Sequence, residues 1–186
     1  MTGQPRLIAA GFPQPSARIE TALDELQLAT DKPPETAEEL RQVASLARPW
    51  DPPSCPPDLR HQLWCWLDTV AGWINEEYTW RTEPSIPICW PQHPHIVHEL
   101  AVIACLRHTA TYKSCPDVLE EWHRYTLPMF LNRIEARLGR NGCPPNNHSE
   151  PPAVPRLNVY RSDKERETRR AYFAADVAES NRHSAK

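Results

Sequence analysis

The stretch DLRHQLWCWLDTVAGWINEEY, residues 58–78, decides the fold. Leu59, Leu63, Trp66, Val70 and Trp73 recur at steps of four and three, with Leu67 and Ile74 beside them. That spacing is one apolar face of an α-helix. Trp64 stands two residues from Trp66, about 200° round a helix, so the two indoles cannot serve the same neighbour. One of them belongs at a rim or an interface.

C-terminal to this stretch, residues 79–92 hold three prolines and read as a loop. The next block is CWPQHPHIVHEL, residues 89–100. His93 precedes Pro94, which suits a first helical position because its missing N–H would be unpaired there in any case. Ile96 to Leu106 is nearly all apolar, as expected of a central helix. Ser114 and Asp117 predict the cap of a third helix, with Pro116 in its first turn. Val118, Leu119, Trp122, Leu127, Phe130, Ile134 and Leu138 line that helix and Gly139 ends it. Pro128 inside this pattern predicts a kink or a break.

Towards the N-terminus, Ile19, Leu23 and Leu26 give an amphipathic helix over about 17–30, ended by Asp31-Lys32-Pro33-Pro34. Thr36 and Glu39 form a capping box ahead of Leu40, Val43 and Leu46. The expected fold is all-α: three core helices near 58–79, 93–113 and 114–139 with one or two N-terminal helices. The expected domains are a disordered tail over 1–16, N-terminal helices and a Pro-rich linker over 17–57, and a helical core over 58–139. A Pro-rich loop over 140–160 and then a separate charged helix make up the segment 140–186. In that last segment Ser162 and Glu165 predict a cap, and Glu165 with Arg169 an ion pair.

Composition agrees with this division. Of 21 prolines, six (84, 87, 91, 94, 116 and 128) fall between 58 and 139. Because proline removes a backbone donor, long regular structure belongs in that interval. Residues 50–139 carry 7 basic and 11 acidic side chains, which argues against a broad nucleic-acid footprint on the core. Residues 140–186 carry 9 and 6, so a local footprint remains open there. Six cysteines (55, 65, 89, 105, 115 and 143) include no Cys-x-x-Cys, which excludes a zinc ribbon or thioredoxin-like motif. With only Leu7 to Phe12 as an apolar N-terminal run, neither a signal peptide nor a membrane span is expected. The expectation is a cytoplasmic protein with free thiols and no membrane association.

Ile88-Cys89-Trp90, His93, Val97 and Leu100, then Trp122-His123, Leu127 and Met129, and finally Gly142-Cys143, form a pattern over roughly residues 60–143. It resembles a domain family of high-GC Gram-positive bacteria, often carried on plasmids, integrating conjugative elements and phages, for which no activity is known. Its members show a Trp-rich turn, a histidine opening a helix and a later Trp-containing helix. The resemblance implies an α-helical domain in a mobile-element setting and supplies no activity.

Three constellations carry chemistry. Cys89 and His93, four residues apart, join His98 and His123 as a candidate zinc set, since thiolate and imidazole suit that ion. Cys89 and His93 alone are half a site, so cap and packing roles are the plainer reading and the expected zinc content is below one equivalent. His98-Glu99 opens a zincin pattern, but Val102 stands where its second histidine belongs. Glu120-x-x-His123 has di-iron spacing without the second such motif that site needs. Phosphate loops and nucleophile elbows are absent, and Ser85, Ser114 and Cys115 read as turn, cap and inert first-turn residues. The second constellation is Trp64, Trp66 and Trp90, candidates for binding a protein partner or a second copy, because tryptophan anchors interfaces out of proportion to its frequency. Third, Lys164, Arg166, Arg169 and Arg170 could contact phosphate, although interleaved acids favour a solvated, ion-paired helix. The leading expectation is a non-enzymatic interaction protein with no cofactor. A weak nucleic-acid binder and a metal-dependent enzyme around Cys89 and His93 are the alternatives.

Overall fold

The stripe along residues 58–78 becomes the inner face of α3 (Pro57–Glu77), where Leu59, Leu63, Trp66, Leu67, Val70, Trp73 and Ile74 are all buried. The computed structural model describes residues 8–79, 81, 85–139, 143, 148 and 154–184. They fall into two units, Met1–Asn147 and His148–Lys186. The chain is all-α, and the described residues contain no strand. None of their helices is long and apolar enough to cross a membrane.

In the first unit, α4 (Pro94–Thr111) is the hub, touching α3 on one side and the helices that follow it on the other. Ile96, Leu100, Ala101, Ile103, Ala104 and Cys105 are buried, which explains a sequence with almost no polar face. Val102 and Leu106 are the exceptions: they form an exposed apolar line along the outer side. Burial pushes the Cys105 thiol up to about 12, so it behaves as a small hydrophobe.

The third helix is interrupted before Pro128, not at it. α5 (Asp117–Glu121) runs into a π-turn (Trp122–Thr126) and then α6 (Leu127–Leu138). Leu127 N–H bonds back to Trp122 O, five residues away. A proline has no N–H to give and its ring crowds the carbonyl four residues earlier. The wider turn takes up that misfit, so the helix continues through Pro128 without a break. Trp122, held in the turn, donates from Nε1 to Ile103 O at 3.1 Å, and Phe130 and Ile134 are buried. On the surface, Glu99 of α4 accepts from Arg133 Nε at 2.6 Å and from Arg137. Burial raises the Glu99 carboxyl, but the two guanidinium groups outweigh it and hold it below the ordinary range. Ser114 provides no cap; Pro116 takes the N-cap position with φ −78°. Gly139 ends α6 as expected, at φ 72°, where other residues are strained.

Two expectations about the N-terminal half fail. Residues 8–16 are not a free tail. Phe12 and Pro15 are buried, and the backbone carbonyls of Ala10 and Pro13 accept from Trp73 Nε1 at 3.1 Å and Trp66 Nε1 at 2.9 Å. Buried indole N–H groups need acceptors, and an irregular, proline-punctuated strip has carbonyls that no helix is using. Residues 1–7 lie outside the described residues. The segment 48–57 is likewise not a bare linker: Pro49, Pro52 and Cys55 are buried around a 3-10 turn at Pro52–Ser54, and Ser54 Oγ accepts from Arg48 N–H at 2.9 Å.

α1 (Ala17–Asp31) lays Ile19, Ala22 and Leu26 on α3, and Arg18 pairs with Asp58 across that contact. α2 (Ala37–Ser45) has the reciprocal capping box, Glu39 N–H to Thr36 Oγ1 at 3.1 Å and Thr36 N–H to Glu39 Oε2 at 2.9 Å, but buries no residue.

The second unit contains α7 (Val154–Arg161) and α8 (Asp163–Ser184). Residues 154–160 were expected as loop, yet Pro155 sits in the first turn of α7, the one place where a helix accepts proline without loss. The rest of the expected loop, apart from Cys143 and His148, is outside the described residues. Phe173 and Val177 of α8 are exposed.

Candidate functional site

The two indoles separated by two residues on α3 part company as the helical geometry requires. Trp66 points inward, is 4 % exposed and stacks edge-on against His108 at 6.0 Å between ring centres. It is therefore a core residue, which removes it from the expected partner surface. Trp64 is half-buried on the other flank of α3, 6.5 Å from Trp90. Trp90 is 4 % exposed and donates from Nε1 to Asp68 Oδ1 at 3.3 Å, so it forms a wall and does not protrude. Trp64, Trp90, Pro91 and Val97, with Cys65, His61 and Asp68 at the edges, enclose a groove of about 600 Å³. That volume falls within the range of small-ligand and peptide pockets.

A second cluster begins one residue before Trp90. Trp90–Gln92 forms a 3-10 turn in which Gln92 N–H donates to Cys89 O at 2.8 Å and His93 N–H to Trp90 O at 3.0 Å. The turn carries Cys89 back towards His93, whose own carbonyl accepts the first N–H groups of α4, from Ile96 at 2.9 Å and Val97 at 3.1 Å. Cys89 Sγ lies 3.4 Å from His93 Nε2. Cys143, beyond the end of α6, places its Sγ 3.3 Å from the same nitrogen. The ligand atoms of these three residues all lie within 4.8 Å of one another. His93 is 1 % exposed, and both cysteines are half-buried. Burial first, and then the adjacent Cys143 thiol, push the Cys89 thiol above its ordinary range.

Cys89 and His93 thus come together as the sequence suggested, but His98 and His123 do not join them. His98 is exposed on α4. His123, in the π-turn, stands 3.1 Å from the Tyr78 hydroxyl, and burial followed by the Arg107 charge holds its imidazole below the ordinary range. Both belong to helices whose rotational phase turns them away, and spacing read along the chain does not fix that phase. The residue missed was Cys143. One signal was available: Cys143 and His148 are spaced Cys-x4-His, nearly repeating Cys89-x3-His93.

In the second unit the basic candidates are partly occupied. Arg166 pairs with Asp163 at 3.0 Å, and Arg169 lies 3.9 Å over the Tyr160 ring and donates to Tyr160 O at 2.7 Å, in place of the expected link to Glu165. Lys164 and Arg170 are exposed.

No family model, curated protein or solved structure matches this chain.

Proposed function

We propose that the chain is a non-enzymatic interaction protein that captures a short protein segment in the Trp64 groove. The observation carrying this reading is that Trp64 alone of the α3 tryptophans keeps an open face, beside a wall formed by Trp90, whose indole is hydrogen-bonded to Asp68. Rigid aromatic anchors lose little conformational entropy on binding, which is why they dominate interface energetics. The apolar walls suit a bulky hydrocarbon or aromatic side chain. Asp68 at the edge, within a region of 11 acidic and 7 basic residues, suits a neighbouring Lys or Arg on the partner. The mobile-element setting implied by the resemblance, and a cytoplasmic location, belong to the same reading. The basic C-terminal helix supports a nucleic-acid reading less well, because Arg166 and Arg169 already have partners and acids flank them.

The test is a displayed random-peptide library selected on the wild-type protein and counter-selected on Trp64→Ala. The expected winners carry one large apolar residue beside Lys or Arg. Their affinity should fall about thirtyfold or more in Trp64→Ala, the loss typical of an anchoring residue. Selection of peptides indifferent to that substitution, or of none at all, defeats the proposal.

A further inference from the structure

We propose that Cys89, His93 and Cys143 bind one zinc ion, with His148 as the fourth ligand, as a structural centre. The inference does not rest on the groove reading, since an ion can be measured without any partner.

The hydrogen-bonding alternative is poorly balanced. A neutral imidazole offers at its outward nitrogen either one lone pair or one N–H, and thiols are weak partners in both roles. Yet two thiols from positions 54 residues apart in the chain both approach the same Nε2, at 3.4 and 3.3 Å. Packing has no need of the second. A cation among the three atoms accounts for both. With Zn–S near 2.3 Å and Zn–N near 2.0–2.1 Å, tetrahedral angles put sulfur and nitrogen roughly 3.5 Å apart. The observed separations are within a few tenths of an ångström of that, so the three donors need only small shifts to close on an ion.

The donor chemistry selects the metal. Two thiols and an imidazole, with no carboxylate among them, are too soft for magnesium or calcium and suit zinc. Binding displaces one proton from each thiol, and two thiolates with two neutral imidazoles leave the zinc centre uncharged. That matters for a site whose central imidazole is 1 % exposed. For the fourth ligand, His148 follows Cys143 by five positions, a reach of up to about 17 Å in an extended chain. The two Cys-x3-His and Cys-x4-His pairs then supply a Cys₂His₂ set of the kind that closes structural sites and leaves no position for substrate. Such an ion would tie the start of α4 to the segment beyond α6.

The experiment uses the full chain, purified without chelator. Metal analysis should find about one equivalent of zinc, and replacement by cobalt(II) should give tetrahedral ligand-field bands with thiolate charge transfer. X-ray absorption should show two sulfur and two nitrogen neighbours. Cys89→Ser and Cys143→Ser should each lose the ion, whereas Cys65→Ser and Cys115→Ser, at exposed positions outside the cluster, should keep it. Chelation should lower the melting temperature of the wild type by several degrees. His148→Ala should replace one nitrogen neighbour by water oxygen and weaken binding at least tenfold. Wild-type protein that takes up neither zinc nor cobalt overturns the proposal, and this readout needs no folded variant. An ion retained with both sulfurs in Cys143→Ser also overturns it, and an unchanged shell in His148→Ala overturns the assignment of the fourth ligand.

Discussion

Replacing Phe12 by alanine tests whether the segment before α1 belongs to the core. Phe12 is 8 % exposed and stands edge-on to two indoles, 5.2 Å from Trp73 and 6.3 Å from Trp66. The Arg107 guanidinium lies 5.0 Å over its ring. Truncating a buried phenylalanine to alanine commonly costs about 3–5 kcal/mol. The chain has one way to reduce that loss, which is to let the segment peel away and rehydrate. Peeling forfeits the two indole hydrogen bonds to Pro13 O and Ala10 O, about 1 kcal/mol each, together with the burial of Pro15. The two routes are close in cost, so the expected destabilisation is about 3 kcal/mol. With a urea dependence near 2 kcal/mol per molar, the midpoint should drop by about 1.5 M. The assay is equilibrium urea unfolding of the full chain, followed by tryptophan fluorescence and far-UV circular dichroism. A loss under about 0.5 kcal/mol, the value of an ordinary surface substitution, would mean that the segment is not docked.

Other outcomes follow from buried titratable groups. His108 is 4 % exposed, and its burial outweighs the opposing charges of Glu20 and Asp24 to hold the imidazole pKa below its ordinary value. The unfolded chain therefore takes up protons first. His108 contributes stability above a pH of about 6.5 that is progressively lost as the pH falls towards its folded-state value. Urea midpoints measured from pH 7.5 down to pH 5.5 should decline less in His108→Leu than in the wild type; parallel curves would show that His108 charges freely in the folded state. Among the thiols, Cys65 and Cys115 are exposed, while Cys105 is buried with its pKa near 12. Alkylation of native protein at neutral pH should modify Cys65 and Cys115 and spare Cys105 until urea unfolds the chain. Early modification of Cys105 would contradict its placement.

What could be read from the sequence was what repeats locally. The α3 stripe, the Thr36–Glu39 box and the Gly139 stop each depend on residues within a turn or two, and each stands where its spacing put it. The phase of Trp64 against Trp66 was legible as an alternative, but deciding it needed the neighbours Pro13, His108 and Trp90, which no helical period supplies. The candidate site was half legible for the same reason. Cys89 and His93 meet across one short turn, whereas Cys143 arrives through the length and direction of α4, the π-turn and α6 together. A one-residue widening at 122–126 alters where everything after it emerges, and the only trace in the sequence was Pro128.

The docking of residues 10–13 against Trp66 and Trp73 also has a consequence for how the chain is made. The partners are 53 and 63 residues apart, with the N-terminal member synthesised first. At roughly 5–20 residues per second, about 3–13 s pass between the appearance of one and of the other. For much of that interval α1 has nothing to cover Ile19, Ala22 and Leu26, since α3 is not yet complete. Glu20, Asp24, Glu25 and Asp31, interleaved along the same helix, give the nascent segment like charges that oppose its association with other growing copies. The net acidity of α1 thus works against self-association at a stage when there is no core for it to cover.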